Sequence, residues 1–172
     1  MNDREAYIVL NMISGVGTAR FRALLDEFGS AALIFEQSTD RLAAIKGISR
    51  KLADKIINWQ NDIDLADELN TASRGGVEII TLGDEKYPEV LKGIYDPPLC
   101  LYVRGSLPDL SSSAIAVVGS RRMTTYGKKM ARHLSESAVL AGWKVISGLA
   151  YGVDAVAHEV TVGAGGVTVA VL

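Results

Sequence analysis

A loop between residues 118 and 127 carries side-chain types that bind phosphate. Gly119 allows a tight turn, Ser120 offers a hydroxyl donor, and Arg121 offers a forked, permanently charged guanidinium that suits phosphate oxygens. The helix that we expect to follow would add free N–H groups and positive potential. An ordinary strand-to-helix turn with a surface arginine is the alternative. The predicted phosphate ligands of this loop are Gly119, Ser120, Arg121, Arg122, Tyr126 and Lys128.

A second glycine-containing loop follows the next predicted strand. Because the carboxyl ends of neighbouring parallel strands meet at one edge of a sheet, we expect the two loops to face one crevice. Asp154 and His158 are four residues apart and share a helix face, which would suit an acid–base pair. We favour the simpler interpretation that Asp154 accepts hydrogen bonds from first-turn N–H groups, with His158 beside it. The predicted phosphate ligands of this loop are Ser147, Gly148, Gly152 and His158.

A third motif lies near the N-terminus, where Gly15-Val16-Gly17 resembles the turn of a helix-hairpin-helix element. Such a turn presents backbone N–H groups to a DNA phosphate. Gly47-Ile48-Ser49 is a poorer second copy. The alternative is that both hairpins serve packing alone, which the acidic balance of residues 1–70 favours, with eight Lys and Arg against eleven Asp and Glu. The candidate DNA contacts here are Gly15, Gly17 and Arg20.

The elements that must position these motifs follow from the spacing of apolar residues. Spacings of three and four predict short helices in the first part of the chain, and apolar runs between helices predict a parallel sheet covered on both faces in the last part. We therefore predict an α/β protein in which a small helical domain precedes a Rossmann-like parallel sheet. The predicted segments are a helical domain at 1–74, a β-containing extension at 75–112, and a Rossmann-like domain at 113–172 that is incomplete at its C-terminus. The predicted strands are 77–82, 99–104, 115–118, 144–147 and 167–172, and the predicted later helices are 62–74, 125–141 and 151–162.

Composition limits the classes of function. The 172 residues are 48% hydrophobic with a net charge of −2, so any anion site must be a local cluster of positive charge. Cys100 is the single cysteine, which excludes an internal disulfide and a cysteine-based zinc site. The first loop lacks the G-x-G-x-x-G fingerprint of dinucleotide-binding proteins, so we expect no such cofactor. We expect no other cofactor and no metal. Without a signal-peptide core or a long apolar run, we expect a cytoplasmic protein without membrane contact. The local basic cluster is Arg121, Arg122, Lys128, Lys129 and Arg132, with no acidic residue between Asp109 and Glu136.

Taken in series, these motifs resemble the DprA/Smf DNA-processing family. The matching pieces are Gly119-Ser120-Arg121 with Tyr126-Gly127, residues 147–154 with Ala157-His158, and the approaches to the sheet at residues 87–91 and 96–105. The resemblance implies a protein with an extended Rossmann sheet that acts as a dimer. Such a protein would bind incoming single-stranded DNA in natural transformation, protect that DNA and help to load RecA onto it. The resemblance implies that Gly119, Ser120 and Arg121 contact the DNA backbone, and it implies no established catalysis. Because the sequence ends within the third predicted strand of the sheet, we expect an N-terminal fragment of a longer protein. The alternative is a short chain that completes its sheet by oligomerising.

Two other functions stay open at this stage. A Rossmann-like phosphoribohydrolase would also use glycine-rich loops at adjacent strand ends, and would need Asp154 or His158 for turnover. A DNA module based on the hairpins alone would leave the α/β part as a scaffold.

Overall fold

The computed structural model describes all residues from 1 to 172 and contains two units. The first unit is Met1–Ser106 and the second is Leu107–Leu172. The chain is a mixed α/β protein with a helical N-terminal part and a three-stranded parallel sheet, as predicted. None of its helices combines the length and the apolar composition that crossing a bilayer requires.

The first unit begins with short helices around one apolar core. Polar caps fix several helix starts: Asn2 and Glu5 form a reciprocal capping box, and Ser30, Ser38 and Ser49 each accept a backbone N–H. The helices are α1 (Asp3–Met12), α2 (Thr18–Phe28), α3 (Ala31–Ile34), α4 (Thr39–Ala43), α5 (Arg50–Ile57) and α6 (Leu65–Arg74), with a 3₁₀ turn at Trp59–Asn61. The largest fully buried apolar side chains of this core are Ile8, Val9, Leu10, Phe21, Leu24, Ile34, Leu42 and Ile56.

Two antiparallel strands close the first unit. Strand β1 (Val77–Thr81) pairs with β2 (Cys100–Arg104), and the short helix α7 (Glu89–Lys92) lies between them in sequence. The buried Tyr87 hydroxyl donates a hydrogen bond to the Pro98 carbonyl, at 2.9 Å. This contact fixes the proline-containing segment that leads into β2.

The second unit is a parallel sheet with two helices. Its elements are β3 (Ala114–Ala116), α8 (Thr125–Leu140), β4 (Lys144–Ser147), α9 (Val153–Gly163) and β5 (Thr168–Ala170), and the strand order is β3-β4-β5. Ala138 of α8 and Ala157 of α9 both belong to the core cluster around Val145 of β4. The two helices therefore cover the same face of β4, which corrects the expectation of cover on both faces. Crossovers of one hand between consecutive neighbouring strands place their helices on one side.

Candidate functional site

The two predicted loops leave the sheet at the same edge. We call residues 117–124, between β3 and α8, the first loop, and residues 148–152, between β4 and α9, the second loop. Ala116 is paired with Ile146 in the parallel register, and the Val117 N–H donates to the Ile146 carbonyl at 2.9 Å. Both loops thus begin at the carboxyl end of the sheet, which is where ligands bind in open α/β folds.

The loops pack directly on each other instead of flanking a crevice. A Cβ at Gly152 would lie 2.2 Å from the Ser120 carbonyl oxygen, and one at Gly119 would lie 2.7 Å from a Val153 methyl group. The Val153 N–H donates to the Ser120 carbonyl at 3.2 Å and joins the loops. The absence of a side chain at both glycines therefore serves loop-to-loop packing, whereas the sequence suggested an approach to a ligand.

The first loop exposes unpaired positive charge. Arg121 and Arg122 of this loop, and Lys128 and Lys129 at the start of α8, are all exposed and take part in none of the six salt bridges of the molecule. Arg132 differs, because it pairs with Glu136 one turn later, at 3.4 Å. Four of the five cations of the basic cluster are consequently available to an anion.

The polar groups of the first loop have local partners that shape it. The Ser120 hydroxyl oxygen accepts a hydrogen bond from the Arg122 N–H at 3.1 Å, and its own proton stays available to a ligand. Thr124 caps α8, because its hydroxyl oxygen accepts the Gly127 N–H at 3.1 Å. Helix α9 has no such cap, since its N-cap residue is Gly152, which has no side chain. The open start of α9 therefore lies directly against Ser120 of the first loop.

Asp154 binds the second loop and not the first turn of α9. One carboxylate oxygen accepts the Gly148 N–H at 3.1 Å, while the other is buried without a partner. The expectation that Asp154 caps α9 is therefore wrong, because its side chain turns back toward the end of β4. Asp154 is 5% exposed, so it reaches solvent poorly.

His158 is also an internal ligand of the second loop. The Thr168 hydroxyl donates to the Val145 carbonyl at 2.8 Å, so its oxygen must accept from His158 Nδ1, which lies 2.7 Å away. His158 Nε2 then accepts the Leu149 N–H at 3.3 Å. This arrangement requires the neutral Nδ1–H tautomer and joins His158 to Thr168 and Leu149 instead of to Asp154.

Ser147 is likewise turned inward. Its hydroxyl donates to the Val117 carbonyl at 2.7 Å, and the residue is 4% exposed. Ser147 and His158, both predicted as phosphate ligands, thus lie beneath the loops with their polar atoms already bonded within the protein. Gly148 and Gly152, by contrast, lie in the second loop and are partly exposed.

Apolar and aromatic side chains lie exposed beside the charges. Tyr126 at the start of α8 is 71% exposed and Tyr151 of the second loop is 85% exposed. Sequence reasoning missed two exposed neighbours, Val118 and Leu149. Their apolar type predicts burial, and no sequence signal indicates the positive φ of 53° that turns Leu149 outward.

The hairpins of the first unit have matching turns. Gly15 and Gly47 have positive φ of 102° and 90°, and the residue after each donates its N–H three residues back, at 3.0 Å in both cases. Arg20 joins the two turns, because its guanidinium donates to the Gly15 carbonyl at 2.6 Å and to the Gly47 carbonyl at 2.9 Å. Gly17 is the N-cap residue of α2 and supplies no side-chain cap, whereas Ser49 caps α5. The start of α2 in the first hairpin thus keeps its amides free of a side-chain cap, and Arg20 is partly committed to the protein.

Four cavities have linings that contain no residue of either loop. A cavity of about 660 Å³ in the first unit is lined by residues around Trp59, and one of about 320 Å³ in the second unit lies beside Arg132. A smaller one of about 240 Å³ lies between the hairpins. No group of His, Cys, Asp and Glu side chains is arranged to hold a metal ion. The candidate site is therefore an exposed surface of loops, which suits an extended ligand better than a small enclosed one.

Comparison with known proteins identifies two family models in this chain. A model of the DNA recombination-mediator protein A family matches residues 78–172. A model of a SAM-like helix-hairpin-helix tandem matches residues 7–58, which contain both hairpins.

Individual relatives agree with those models. Protein Smf of Synechocystis is 30% identical over 176 residues, which is 99% of this chain and 44% of that protein. DNA processing protein DprA of Bacillus subtilis is 39% identical over 98 residues, which is 56% of this chain and 33% of that protein. The X-ray structure of DNA processing protein A from Streptococcus pneumoniae matches 99% of this chain and 58% of its own, with a TM-score of 0.74 at 24% identity. The chain spans less than half the length of these two sequence relatives.

Proposed function

Since this chain belongs to the DNA recombination-mediator protein A family, whose relatives include DNA-processing proteins, we propose that it binds single-stranded DNA through the phosphate groups. The observation that carries the proposal is the pair of exposed guanidinium groups at Arg121 and Arg122, neither of which has a carboxylate partner. A guanidinium without an internal partner loses no salt bridge when it binds a phosphate, and it gains a charge-assisted hydrogen bond.

The proposed ligands divide into groups that touch DNA and groups that support them. We assign direct phosphate contact to the first loop and the start of α8, through Gly119, Ser120, Arg121, Arg122, Tyr126 and Lys128. Gly148 and Gly152 would bring the backbone of the second loop to the same surface. The bonded side chains of Ser147 and His158 favour a supporting role for those two residues.

Exposed aromatic rings favour a single strand over a duplex. The bases of a single strand are free to stack, and aromatic side chains beside a basic surface are the usual platform for them. Tyr126 and Tyr151 are exposed next to the basic cluster and are the proposed platform. Such a site would bind with little preference for sequence, since every base offers a flat face.

The wider role follows from the family. We propose that the protein acts in the bacterial cytoplasm on DNA taken up in natural transformation, protects that DNA, and assists RecA loading as a homodimer. The chain covers only part of its relatives, so RecA contact and dimer formation are proposed for the whole protein. Contact of DNA with the first hairpin through Gly15, Gly17 and Arg20 is a further part of the proposal, supported by the uncapped start of α2.

We propose binding without catalysis. A nucleotide hydrolase would need an acid or base that reaches the substrate. The polar atoms of Asp154 and His158 are directed at the second loop and at Thr168, so they do not form the acid–base pair that such a reaction would use.

A salt titration of oligonucleotide binding tests the proposal. Fluorescence anisotropy compares a single strand, a duplex and a mononucleotide, and we expect the single strand to bind most tightly. Arg121→Ala should weaken binding about tenfold, since a hydrogen bond to a charged group contributes about 1.5 kcal/mol or more. It should also lower the salt slope by about 0.7, the value for one phosphate of a single strand. Arg132→Ala is the matched control, because Glu136 already neutralises that cation.

The contrary results are equally specific. Tightest binding of the mononucleotide would favour the hydrolase. A loss confined to certain base sequences would contradict a phosphate contact by Arg121. The second unit alone, residues 107–172, separates the hairpin module from our proposal. If circular dichroism shows this unit to be folded, loss of binding would make the hairpins the main site.

A further inference from the structure

Leu149 has a backbone conformation that leucine avoids. It is the single non-glycine residue with a positive φ, at 53°. A Cβ in this region approaches the following carbonyl oxygen, so the conformation is unfavourable unless something compensates for it. Burial does not compensate for it, since the side chain is 58% exposed.

Hydrogen bonds from α9 hold Leu149 in place. Its N–H donates to His158 Nε2, and the N–H of the preceding Gly148 donates to Asp154. His158 is fixed in turn by Thr168. Two consecutive amides of the second loop are thus bonded to buried side chains, which leaves the leucine side chain as the part that faces outward.

Two other exposed side chains belong to the same pair of loops as Leu149. Tyr151 is 85% exposed, and Val118, in the first loop two residues after β3 ends, is 79% exposed. Because Ala116 is paired with Ile146, Val118 lies level with Gly148, one residue before Leu149. Val118, Leu149 and Tyr151 thus expose apolar side chains on the same two packed loops that carry Arg121 and Arg122.

This combination of charge and apolar surface fits a nucleobase. A ligand that covers it must bring negative charge to the first loop and a flat apolar face to the second. Single-stranded DNA does both, because each phosphate is followed by a base whose faces are free. Duplex DNA does not fit as well, because its base faces are stacked and hidden. A partner protein with an apolar surface does not fit either, because it would leave the arginines of the first loop unpaired.

We propose that Leu149 is a base-contacting residue, positioned by His158 to pack against an unstacked base of single-stranded DNA. This inference rests on the proposed function, since it needs phosphate bound at the first loop. The preset loop would lower the ordering cost of binding, because Leu149 is already held outward.

An abasic oligonucleotide separates base contact from phosphate contact. The probes are a labelled oligothymidine and an abasic oligomer of equal length, which carries the same phosphates without bases. Leu149→Gly and Leu149→Asn place residues that tolerate a positive φ at this position, so neither adds backbone strain. Leu140→Asn is the matched control, since Leu140 is 89% exposed in the same unit at the end of α8.

We expect both Leu149 variants to bind oligothymidine about fivefold more weakly. This loss corresponds to the burial of roughly half a leucine side chain, which the original chain gains when a base covers Leu149. Binding of the abasic oligomer should not change, and the control should bind both probes like the original chain. Unchanged binding of oligothymidine, or an equal loss of affinity for the two probes, would overturn the role of Leu149. The phosphate site would still stand if Arg121→Ala weakened binding of the two probes. Failure of the unmodified protein to bind either probe would overturn both proposals.

Discussion

Substitution of Gly152 by alanine tests whether the contact between the two loops holds the candidate site together. Gly152 has φ 87° and ψ −126°, a region that is almost restricted to glycine and costs other residues about 1–3 kcal/mol. The new Cβ would also lie 2.2 Å from the Ser120 carbonyl oxygen. Because this neighbour is backbone, relief requires a shift of the loop, and such overpacking costs about 1–3 kcal/mol. We expect a total loss of about 2–6 kcal/mol in the free energy of unfolding.

Two other glycines of the second unit separate the two causes. Gly165 has a positive φ of 72°, and a Cβ added there would have no atom within 4 Å, so Gly165→Ala should cost about 1 kcal/mol from the backbone alone. Gly119 has no positive φ, and its Cβ would meet the Val153 side chain at 2.7–2.9 Å. Gly119→Ala should therefore show the packing cost alone, about 1–3 kcal/mol.

Urea unfolding with a single tryptophan reports on the second unit. Trp59→Phe leaves Trp143, just before β4, as the one tryptophan of the chain. The same variants are then tested for oligonucleotide binding under conditions where they are folded. Gly152→Ala should bind more weakly than Gly165→Ala, because only the former displaces Ser120 and the attached Arg121. Equal destabilisation by Gly152→Ala and Gly165→Ala would refute the described contact between the loops.

Two further predictions concern the first unit. Arg20→Ala should lower the stability of the helical part by about 1 kcal/mol in urea unfolding, because it removes the two hydrogen bonds that join the hairpin turns. Arg22→Ala is the control, because Arg22 is exposed and makes no such bonds, so it should lower the stability less. Burial raises the pKa of the Cys100 thiol to about 12, so its contribution to stability is complete below the unfolded pKa near 9 and is lost as the pH rises toward 12. Between pH 9 and 12, iodoacetamide should alkylate Cys100 far more slowly in the native chain than in the urea-unfolded chain. Equal rates would contradict the burial.

The regular elements followed from local sequence to within a few residues. The strand predicted at 144–147 is β4, and the helix predicted at 125–141 is α8, because alternating and three-to-four spacings are local signals. The helix predicted to start at Tyr151 begins instead at Val153, since the backbone of Gly152 is not helical. The strand predicted at 167–172 extends only over Thr168–Ala170, because β4, its partner, ends at Ser147.

The interior of the candidate site could not be predicted, since it depends on contacts between residues far apart in sequence. The motif of glycine, serine and arginine indicated an exposed loop at the carboxyl end of the sheet, but not that Gly119 packs on Val153. The sequence placed Asp154 and His158 on one helix, yet their partners lie in the second loop and in β5. A positive φ at Leu149 contradicts its residue type, and only the bonded loop explains it.

The negative net charge of the chain does not oppose binding of a polyanion, because charge acts over short distances in salt solution. The Debye length is about 10 Å at 0.1 M salt. Glu136 lies seven residues after Lys129, which is about 10 Å along a helix that rises about 1.5 Å per residue, and it is already paired with Arg132. A phosphate at the first loop therefore experiences mainly the unpaired cations Arg121 and Arg122 of that loop and Lys128 and Lys129 at the start of α8. For the same reason, the attraction between the phosphate and these cations should weaken steeply as added salt shortens the Debye length.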